Sequence, residues 1–300
     1  MKKFLFVLFV ALLGTLSIQA QNWKPYTIGA ETSGTVSDVT GKTKAALESG
    51  GFEVLGIYTP AQDANRRVIA ITSPKLKAAV KKVGGLTGFA AALRVAVTKE
   101  GGQIVISYTT PEYWGNAYFQ KKYGLVSGNY SAISSQLKSA LSSLGSGGGR
   151  QFGSAKGLSA TKLRKYHYML GMPYFQDNHL LKSFSSYAEA VAKIETNLAQ
   201  GGSRLKKVYA VEIPGKNIKL YGIALGGSKG EAAFLPIIDK ATPKHTAFLP
   251  YEILVSGNKV YMLHGRYRIA LSFPDLSMGT FTKIMSTPKD IKNMMMKLVQ

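Results

Sequence analysis

The sequence has 300 residues, no cysteine and a formal net charge of +22 at pH 7. Without cysteine the chain cannot form disulfides, thiolate metal sites, a cysteine nucleophile or a lipid anchor on cysteine. Its hydrophobic content of 45% is typical of a globular protein and argues against a disordered or fibrous one. The charge favours anionic partners, such as envelope polysaccharide or phospholipid headgroups, although dispersed lysines can also serve solubility alone.

Residues 1–20 have the pattern of a secretory signal peptide. Two lysines precede an apolar core at residues 4–13, and Ala20 stands at the predicted cleavage point. The apolar core is too short to span a bilayer, and an uncleaved N-terminal anchor is the alternative interpretation. We therefore expect a periplasmic or secreted bacterial protein, cleaved near Ala20. After cleavage we expect no transmembrane segment, and export disfavours a nucleic-acid partner.

The chain that follows predicts a first α+β domain at residues 21–144. After a polar lead-in at residues 21–34, Ser37 or Asp38 caps a helix that Gly50 and Gly51 end. Later patterns predict two strands, a helix opened by Ser73-Pro74, a hairpin and a final helix. These elements are predicted at residues 52–58, 67–71, 75–83, 93–98 with 103–108, and 130–144.

Residues 145–160 are a predicted flexible linker, because they are rich in glycine and serine. The second domain, residues 161–300, begins with an aromatic, strand-like stretch at 166–174 and a capping box at Ser186. It then repeats the order of the first domain, with elements at residues 207–213, 218–225, 231–238, 249–255, 259–264 and 287–296. The repeated order predicts two tandem copies of a small two-layer α+β domain, each with helices on one face of a mixed or antiparallel sheet. We expect the copies to pair as an internal pseudo-dimer.

Several short runs in both halves carry a family resemblance. In the first half they are A-A-L-E-S-G-G-F-E-V-L-G at 45–56, I-A-I-T-S-P-K-L at 69–76, and A-L-R-V-A-V at 92–97 leading to T-T-P-E-Y at 109–113. In the second half, F-L-P-Y-E-I-L-V at 248–255 is similar to the strand entry of that family. These runs resemble the domain of unknown function 302 family. The resemblance implies a compact two-layer α+β domain, often paired with another copy. It implies no activity, since none is established for the family.

The two turns that lead from a strand to a helix are the first candidate site. Residues 226–230 match the G-x-S-x-G elbow of serine hydrolases, with Ser228 as nucleophile and Asp239 and His264 following in hydrolase order. The domain is too small for that fold, so a tight joint between strand and helix is the better interpretation. The same turns could instead bind an anion through backbone N–H groups at a helix start. The anion-binding candidates are Ser73, Lys75, Gly227, Ser228 and Lys229.

A soft-metal site is a further alternative. His167, Met169 and Met172 combine imidazole with thioether sulfur, which suits monovalent copper. Methionine at this spacing is more often a filler of the hydrophobic core. We predict no cofactor.

Aromatic and basic residues occur together after the first hairpin. Tyr113 and Trp114 with Lys121 and Lys122 are candidates for a surface that stacks sugar rings or bases. Packing of the aromatic residues in the core is the interpretation that we favour.

The sequence as a whole favours a non-enzymatic module of the bacterial cell envelope that binds an anionic ligand or another protein. An envelope serine hydrolase that uses Ser228 and a soft-metal protein that uses His167 are the alternatives. Both depend on short motifs, and catalysis is the less favoured class.

Overall fold

The computed structural model describes residues 21–200 and 204–300, so the predicted signal peptide lies outside the described residues. Two antiparallel sheets, each associated with helices, form the α+β fold that the sequence predicts. Within the described ranges, no helix has the length and apolar character needed to cross a membrane.

The first half alternates strands and helices. Its elements are β1 (Asn22–Trp23), β2 (Tyr26–Thr32), α1 (Val36–Ser49), β3 (Glu53–Tyr58), β4 (Arg66–Thr72), α2 (Pro74–Val83), β5 (Leu93–Glu100), β6 (Gln103–Thr109), α3 (Pro111–Phe119) and α4 (Ser127–Leu141). The connection to the second half contains β7 (Gln151–Phe152), β8 (Leu158–Ser159) and α5 (Ala160–Arg164). Short 3-10 helices lie at Pro60–Gln62, Gly85–Ala90, Gln120–Leu125 and Ser142–Leu144.

The second half repeats this order. Its elements are β9 (His179–Ser183), α6 (Tyr187–Gln200), β10 (Leu205–Ile213), β11 (Ile218–Leu225), α7 (Glu231–Ile238), β12 (Tyr251–Ser256), β13 (Lys259–Met262), α8 (Gly265–Ser272), α9 (Met278–Lys283) and α10 (Thr287–Met296). A 3-10 helix at Thr246–Phe248 precedes β12.

The two sheets have the same strand order. The first sheet runs β3-β4-β5-β6-β2-β7, and the second runs β10-β11-β12-β13-β9. The first sheet has one additional strand, β7. In both sheets the strand before the first helix, β2 or β9, lies beside the last strand of the hairpin, β6 or β13. The edge strands β3 and β10 also carry a bulge at the corresponding place, between Val54 and Gly56 and between Lys207 and Tyr209. The two halves therefore share one topology.

Local capping explains where two of the helices begin. Ser73 Oγ accepts a hydrogen bond from the backbone N–H of Leu76, and Pro74 occupies the first position of α2, as predicted. Helix α1 begins earlier than predicted, because the cap is Thr35 rather than Ser37 or Asp38. Thr35 Oγ1 accepts from the N–H of Asp38 at 3.1 Å.

At the start of each half, the observed strand differs from the prediction. Residues 26–32 form β2 instead of a polar lead-in, with Tyr26, Ile28 and Ala30 buried. Gly29 lies at a bulge in the pairing of β2 with β6, between Ile28 and Ala30, and an added Cβ there would lie 2.6 Å from Leu141 Cδ1. In the second half, residues 166–174 form no strand, and β9 begins the sheet instead.

The glycine-rich connection lies along β2 through backbone hydrogen bonds. Gly149 N–H donates to Ile28 O at 2.8 Å, and Ile28 N–H donates to Arg150 O at 2.9 Å. Strand β7 continues this pairing, and β8 pairs with β1. The composition predicts a flexible linker, whereas the bonds satisfy the otherwise open edge of β2. Glycine suits this position, since a Cβ on Gly148 would lie 2.5 Å from Gly29 O.

Each sheet also packs against the other half of the chain. From β5, Arg94 Nε donates to Ala247 O at 3.0 Å, and Thr98 Oγ1 bonds to Thr246 Oγ1 at 2.9 Å. The 3-10 helix Gly85–Ala90 contacts β11 and β12 in return. Helices α1 and α6 contact the sheets of their own halves.

A buried charge cluster lies at the centre of this interface. Glu252 accepts hydrogen bonds from Arg94 Nη1, Arg268 Nη1 and the Tyr209 hydroxyl, each at 2.6 Å. Arg94 is the second residue of β5 and Glu252 is the second residue of β12, so corresponding positions of the two halves form an ion pair. The two charges are almost fully buried, so removal of either partner would leave an uncompensated charge in the interface.

Candidate anion-binding site

A cavity of about 820 Å³ opens where α3 ends, and we name it the basic groove. Three parts of the chain line it: the segment after α2, the turn after α3, and the segment between α5 and β9. The lining residues are 83–87, 118–122, 164–165, 167 and 174–176. The groove therefore lies where the first half meets the path of the chain to the second.

The charge of the basic groove is entirely positive. Its charged lining residues are Lys121, Lys122, Arg164 and Lys165, and none of the described lining residues is an aspartate or glutamate. The three lysines are exposed, and none of them forms an ion pair within the described ranges. Four cations without a carboxylate produce a positive potential that attracts an anion.

Neighbouring side chains hold the guanidinium of Arg164 in place. Its Nε donates to Asn116 Oδ1 at 2.7 Å, and the group lies 5.4 Å from the centre of the Tyr123 ring. A guanidinium held in this way loses little further entropy when it bonds to an oxyanion.

Aromatic rings form the other part of the lining. The imidazole of His167 stacks on Tyr174 with ring centres 4.2 Å apart and planes 9° from parallel. Tyr118 is buried and stacks on Phe175 at 5.5 Å. Burial raises the pKa of Tyr118 to about 12, so its hydroxyl is neutral at pH 7. The groove thus combines positive charge with an aromatic lining, in which Tyr174 is the most exposed ring.

The turn that presents the two neighbouring lysines has an unusual backbone. Gln120 ends α3 with φ 51° and ψ −128°, a conformation normally left to glycine. The side chain of Gln120 accepts a hydrogen bond from the Gln176 amide across the groove. Strain of this kind clusters at functional sites because the surrounding structure must hold it.

A second cavity, of about 410 Å³, lies at the corresponding place in the second half. It is lined by the segment after α7, the turn after α8, Lys24 and residues 151–154. Its charged residues include Asp275, whose carboxylate accepts a hydrogen bond from Ala155 N–H at 2.6 Å. His245 is buried beside it, and burial lowers the pKa of the imidazole to about 4, so the ring is neutral at pH 7. The second cavity therefore lacks the single sign of charge found in the basic groove.

The first strand-to-helix turn offers little to an anion. Ser73 is buried and its hydroxyl oxygen already accepts the capping hydrogen bond. Lys75 Nζ donates to Gln136 Oε1 at 3.4 Å. These two candidates are explained by the local structure of α2.

The second strand-to-helix turn is more open. Gly227, Ser228 and Lys229 line a cavity of about 470 Å³ together with Arg204 and Lys297. Lys229 is ion-paired to Asp290 at 2.6 Å, which lowers the net positive charge of this cavity. Beside the turn, the buried carboxyl of Glu231 accepts from the N–H of Ala61 at 2.9 Å. Burial raises the pKa of Glu231 to about 7.

The structure does not bring together the residues of a serine hydrolase. Asp239 accepts hydrogen bonds from Arg66 and from His245 N–H, and His264 Nδ1 accepts from Arg266 N–H. Within the described residues neither side chain bonds to Ser228. The G-x-S-x-G match is therefore a tight turn without its catalytic partners.

The residues proposed for a soft metal take part in a folded loop. His167 Nε2 donates to Met172 O at 2.8 Å, in addition to the stacking on Tyr174. Met169 points outward, with 42% of its surface exposed. In the parts of the chain that the structure describes, no group of three or more His, Asp and Glu residues could hold a metal ion.

Tyr113 and Trp114 pack in the core, which is the interpretation that the sequence favours, and so they form no aromatic surface. Both side chains are buried, because α3 lies between the two halves with every residue covered. The Tyr113 hydroxyl donates to Leu271 O at 2.7 Å, and Trp114 Nε1 donates to Pro25 O at 2.8 Å. Lys121 and Lys122 are exposed, and they lie in the basic groove.

Sequence reasoning missed the opposite side of this groove. Arg164, Lys165 and Tyr174 follow the connection, and no spacing rule links them to Lys121. The available signal was the basic run Lys162–Leu163–Arg164–Lys165 directly before an aromatic stretch.

Comparison with known proteins gives a distant likeness. No family model matches the chain, and no curated protein matches it. Among solved structures, the chain is similar to one described as an uncharacterized conserved protein DUF302 from Bacillus stearothermophilus. The two sequences are 16% identical, the match covers 39% of this chain and 95% of the other, and the TM-score is 0.35.

Proposed function

We propose that the protein is an exported, non-enzymatic binding protein of the bacterial cell envelope and that the basic groove is its anion-binding site. The observation that carries the proposal is the lining of one cavity by Lys121, Lys122, Arg164 and Lys165, with no carboxylate among the described lining residues. An anion in this groove gains charge-assisted hydrogen bonds without repulsion from the protein. The leader sequence supports export.

The lining also indicates the shape of the ligand. An oxyanion suits the guanidinium of Arg164 and the ammonium groups of Lys121 and Lys122, since these groups only donate hydrogen bonds. A flat ring attached to the oxyanion suits the stacked pair of His167 and Tyr174. The ligand class is therefore a ring-bearing or apolar molecule with a phosphate, sulfonate or carboxylate group.

Two fluorescent probes with the same ring system test this proposal. Anilinonaphthalene sulfonate carries one negative charge, whereas phenylnaphthylamine has the rings without the sulfonate. We expect the sulfonate to bind at least about tenfold more tightly, which corresponds to about 1.4 kcal/mol. Equal affinity for the two probes would show that apolar contact alone drives binding, and the proposal would be wrong.

Ionic strength provides an independent control. Exposed lysines are screened by salt within about 10 Å at 0.1 M, so affinity for the sulfonate should fall as salt is added. Affinity for the uncharged probe should stay constant or rise. Salt-insensitive binding of the sulfonate would contradict an electrostatic site.

The shared strand order supports a further proposal, that the two halves are tandem copies of one domain of the DUF302 type, paired within the chain. The matching bulges in β3 and β10 support it as well. An experimental structure tests the proposal by superposition of the two sheets. A different strand order in either half would contradict it.

A further inference from the structure

An apolar loop protrudes beside the basic groove. Leu170 is 97% exposed, and Met169 and Tyr174 are 42% and 46% exposed. We name residues 168–174 the apolar loop. An isolated exposed leucine is common on protein surfaces. Three large apolar side chains in one short loop instead indicate a surface that contacts a membrane or another protein.

Hydrogen bonds hold this loop in one shape. Met172 N–H donates to Met169 O at 3.0 Å and closes a turn, in which Gly171 takes φ +80°. His167 Nε2 donates to Met172 O at 2.8 Å, and Tyr174 N–H donates to Asp177 Oδ2 at 2.8 Å. The turn therefore presents Leu170 at its tip as a built feature of the fold.

The apolar loop and the basic groove share residues. His167 and Tyr174 line the groove and also form the two sides of the loop. On the other rim of the groove, Leu125 is 54% exposed in the same 3-10 helix as Lys121 and Lys122. One rim thus carries Lys121, Lys122 and Leu125 in one 3-10 helix, and the other carries the apolar loop, which begins three residues after Lys165.

We propose that this surface docks on a bilayer that contains anionic phospholipid. The side chains of Leu170 and Met169 enter the acyl-chain region, and Lys121, Lys122 and Lys165 contact headgroup phosphates. The inference rests on the proposed function and names its anion as a lipid phosphate. Lysine suits this position, because its long stem lies along apolar surface while its ammonium group reaches the headgroups.

Charge and shape together favour a bilayer over a protein partner. A protruding leucine needs a matching pocket on a protein, whereas fluid acyl chains accept it without shape complementarity. Lysines near the surface of an anionic membrane each add to the attraction, and apolar insertion adds to it separately. The arrangement of an apolar tip flanked by lysines fits both contributions.

Vesicle sedimentation tests the proposal. The unaltered protein and all variants compared begin at the same residue. We expect the protein to bind vesicles of phosphatidylcholine mixed with phosphatidylglycerol at least about tenfold more tightly than vesicles of phosphatidylcholine alone. Leu170→Ser should weaken binding to the mixed vesicles at least about tenfold, because it removes the inserted side chain. Met285→Ser is the matched control, since Met285 is 60% exposed but lies outside the loop and the groove.

The same variants separate this inference from the proposed function. Leu170 does not line the groove, so Leu170→Ser should bind anilinonaphthalene sulfonate as the unaltered protein does. Normal sulfonate binding without vesicle binding would overturn the membrane proposal and leave a site for soluble anions. If the unaltered protein does not bind the sulfonate, the proposed function itself is wrong.

A fluorescence measurement reports insertion directly. In Leu170→Trp the indole should shift to shorter wavelength when mixed vesicles are added, and it should not shift with phosphatidylcholine alone. An unshifted indole on bound vesicles would mean that the loop stays in water. That result would overturn the proposed docking.

Discussion

The basic groove and the second cavity occupy corresponding places in the two halves and differ in chemistry. Both open at the end of the helix that follows the hairpin, α3 in one half and α8 in the other. The basic groove has about 820 Å³ and only positive charges, whereas the second cavity has about 410 Å³ and contains Asp275 and a neutral His245. The shared fold supplies the position of a cavity in each half.

The difference comes mainly from the segments that cover the cavities. Residues 164–176 bring arginine, lysine and tyrosine to the basic groove, and residues 151–154 bring Phe152 and a short serine-containing turn to the second cavity. One topology can therefore carry a binding site in one half and a structural pocket in the other. Four sets of variants test this comparison.

Glu252→Gln should have the largest effect, because both cavities depend on the packing of the two halves. The change leaves Arg94 and Arg268 buried without a negative charge. We expect the free energy of unfolding to fall by about 3–5 kcal/mol, measured by urea denaturation. Glu48→Gln removes an exposed ion pair with Lys44 and should cost at most about 0.5 kcal/mol. A similar small loss in both variants would contradict the role of the buried cluster.

The second cavity should make stability depend on pH through His245. Burial lowers the pKa of its imidazole from 6.5 to about 4, so between these values the unfolded chain binds a proton that the folded chain does not. Above pH 6.5 the imidazole is neutral in both states and costs the fold no stability. As the pH falls from 6.5 towards 4, the free energy of unfolding should decrease by roughly 3 kcal/mol. His245→Phe should flatten this part of the stability curve, measured by urea denaturation at several pH values. An unchanged curve would show that the imidazole titrates normally.

The basic groove should respond to removal of its lysines. Lys121→Ser with Lys122→Ser should weaken binding of anilinonaphthalene sulfonate at least about tenfold, since two charge-assisted contacts are lost. The matched control is Lys24→Ser with Lys240→Ser, which removes two lysines from the second cavity. We expect this control to bind the sulfonate unchanged. Equal losses in the two double variants would mean that net charge, and not the groove, attracts the probe.

Relief of backbone strain at the end of α3 should have the smallest effect on the free energy of unfolding. Gln120 has φ 51° at the end of α3, whereas Phe273 has φ −132° at the end of α8. Gln120→Gly should raise the free energy of unfolding by about 1 kcal/mol, because glycine adopts this conformation without strain. A loss of stability in Gln120→Gly would show that its bond to Gln176 outweighs the strain.

The order of elements could be predicted because their ends carry strong local signals. Ser73-Pro74 opens α2 and the Gly50-Gly51 pair ends α1, and both signals act within a few residues. Strand β2 escaped prediction because Gly29 and the polar residues around it are typical of a loop, although Tyr26, Ile28 and Ala30 alternate and are buried. Helices α3 and α8 also escaped prediction, since both are buried on nearly every side and so show no polar face.

The candidate site could be predicted on one side only. Lys121 and Lys122 stand out in the sequence because they follow an aromatic cluster. Their partners Arg164 and Tyr174 come from a segment that reaches the groove only after the chain has run along β2. That path depends on backbone hydrogen bonds of Ser146, Gly149 and Arg150, and backbone bonds leave no side-chain pattern in the sequence.

A crystal structure with anilinonaphthalene sulfonate bound is the most direct test of the anion site. We expect the sulfonate within hydrogen-bond distance of Lys121, Lys122 or Arg164, with its rings against Tyr174. The second cavity should be empty of the probe in the same crystal. Sulfonate bound in the second cavity, or at the turn of Ser228 with the basic groove vacant, would contradict the assignment of the site.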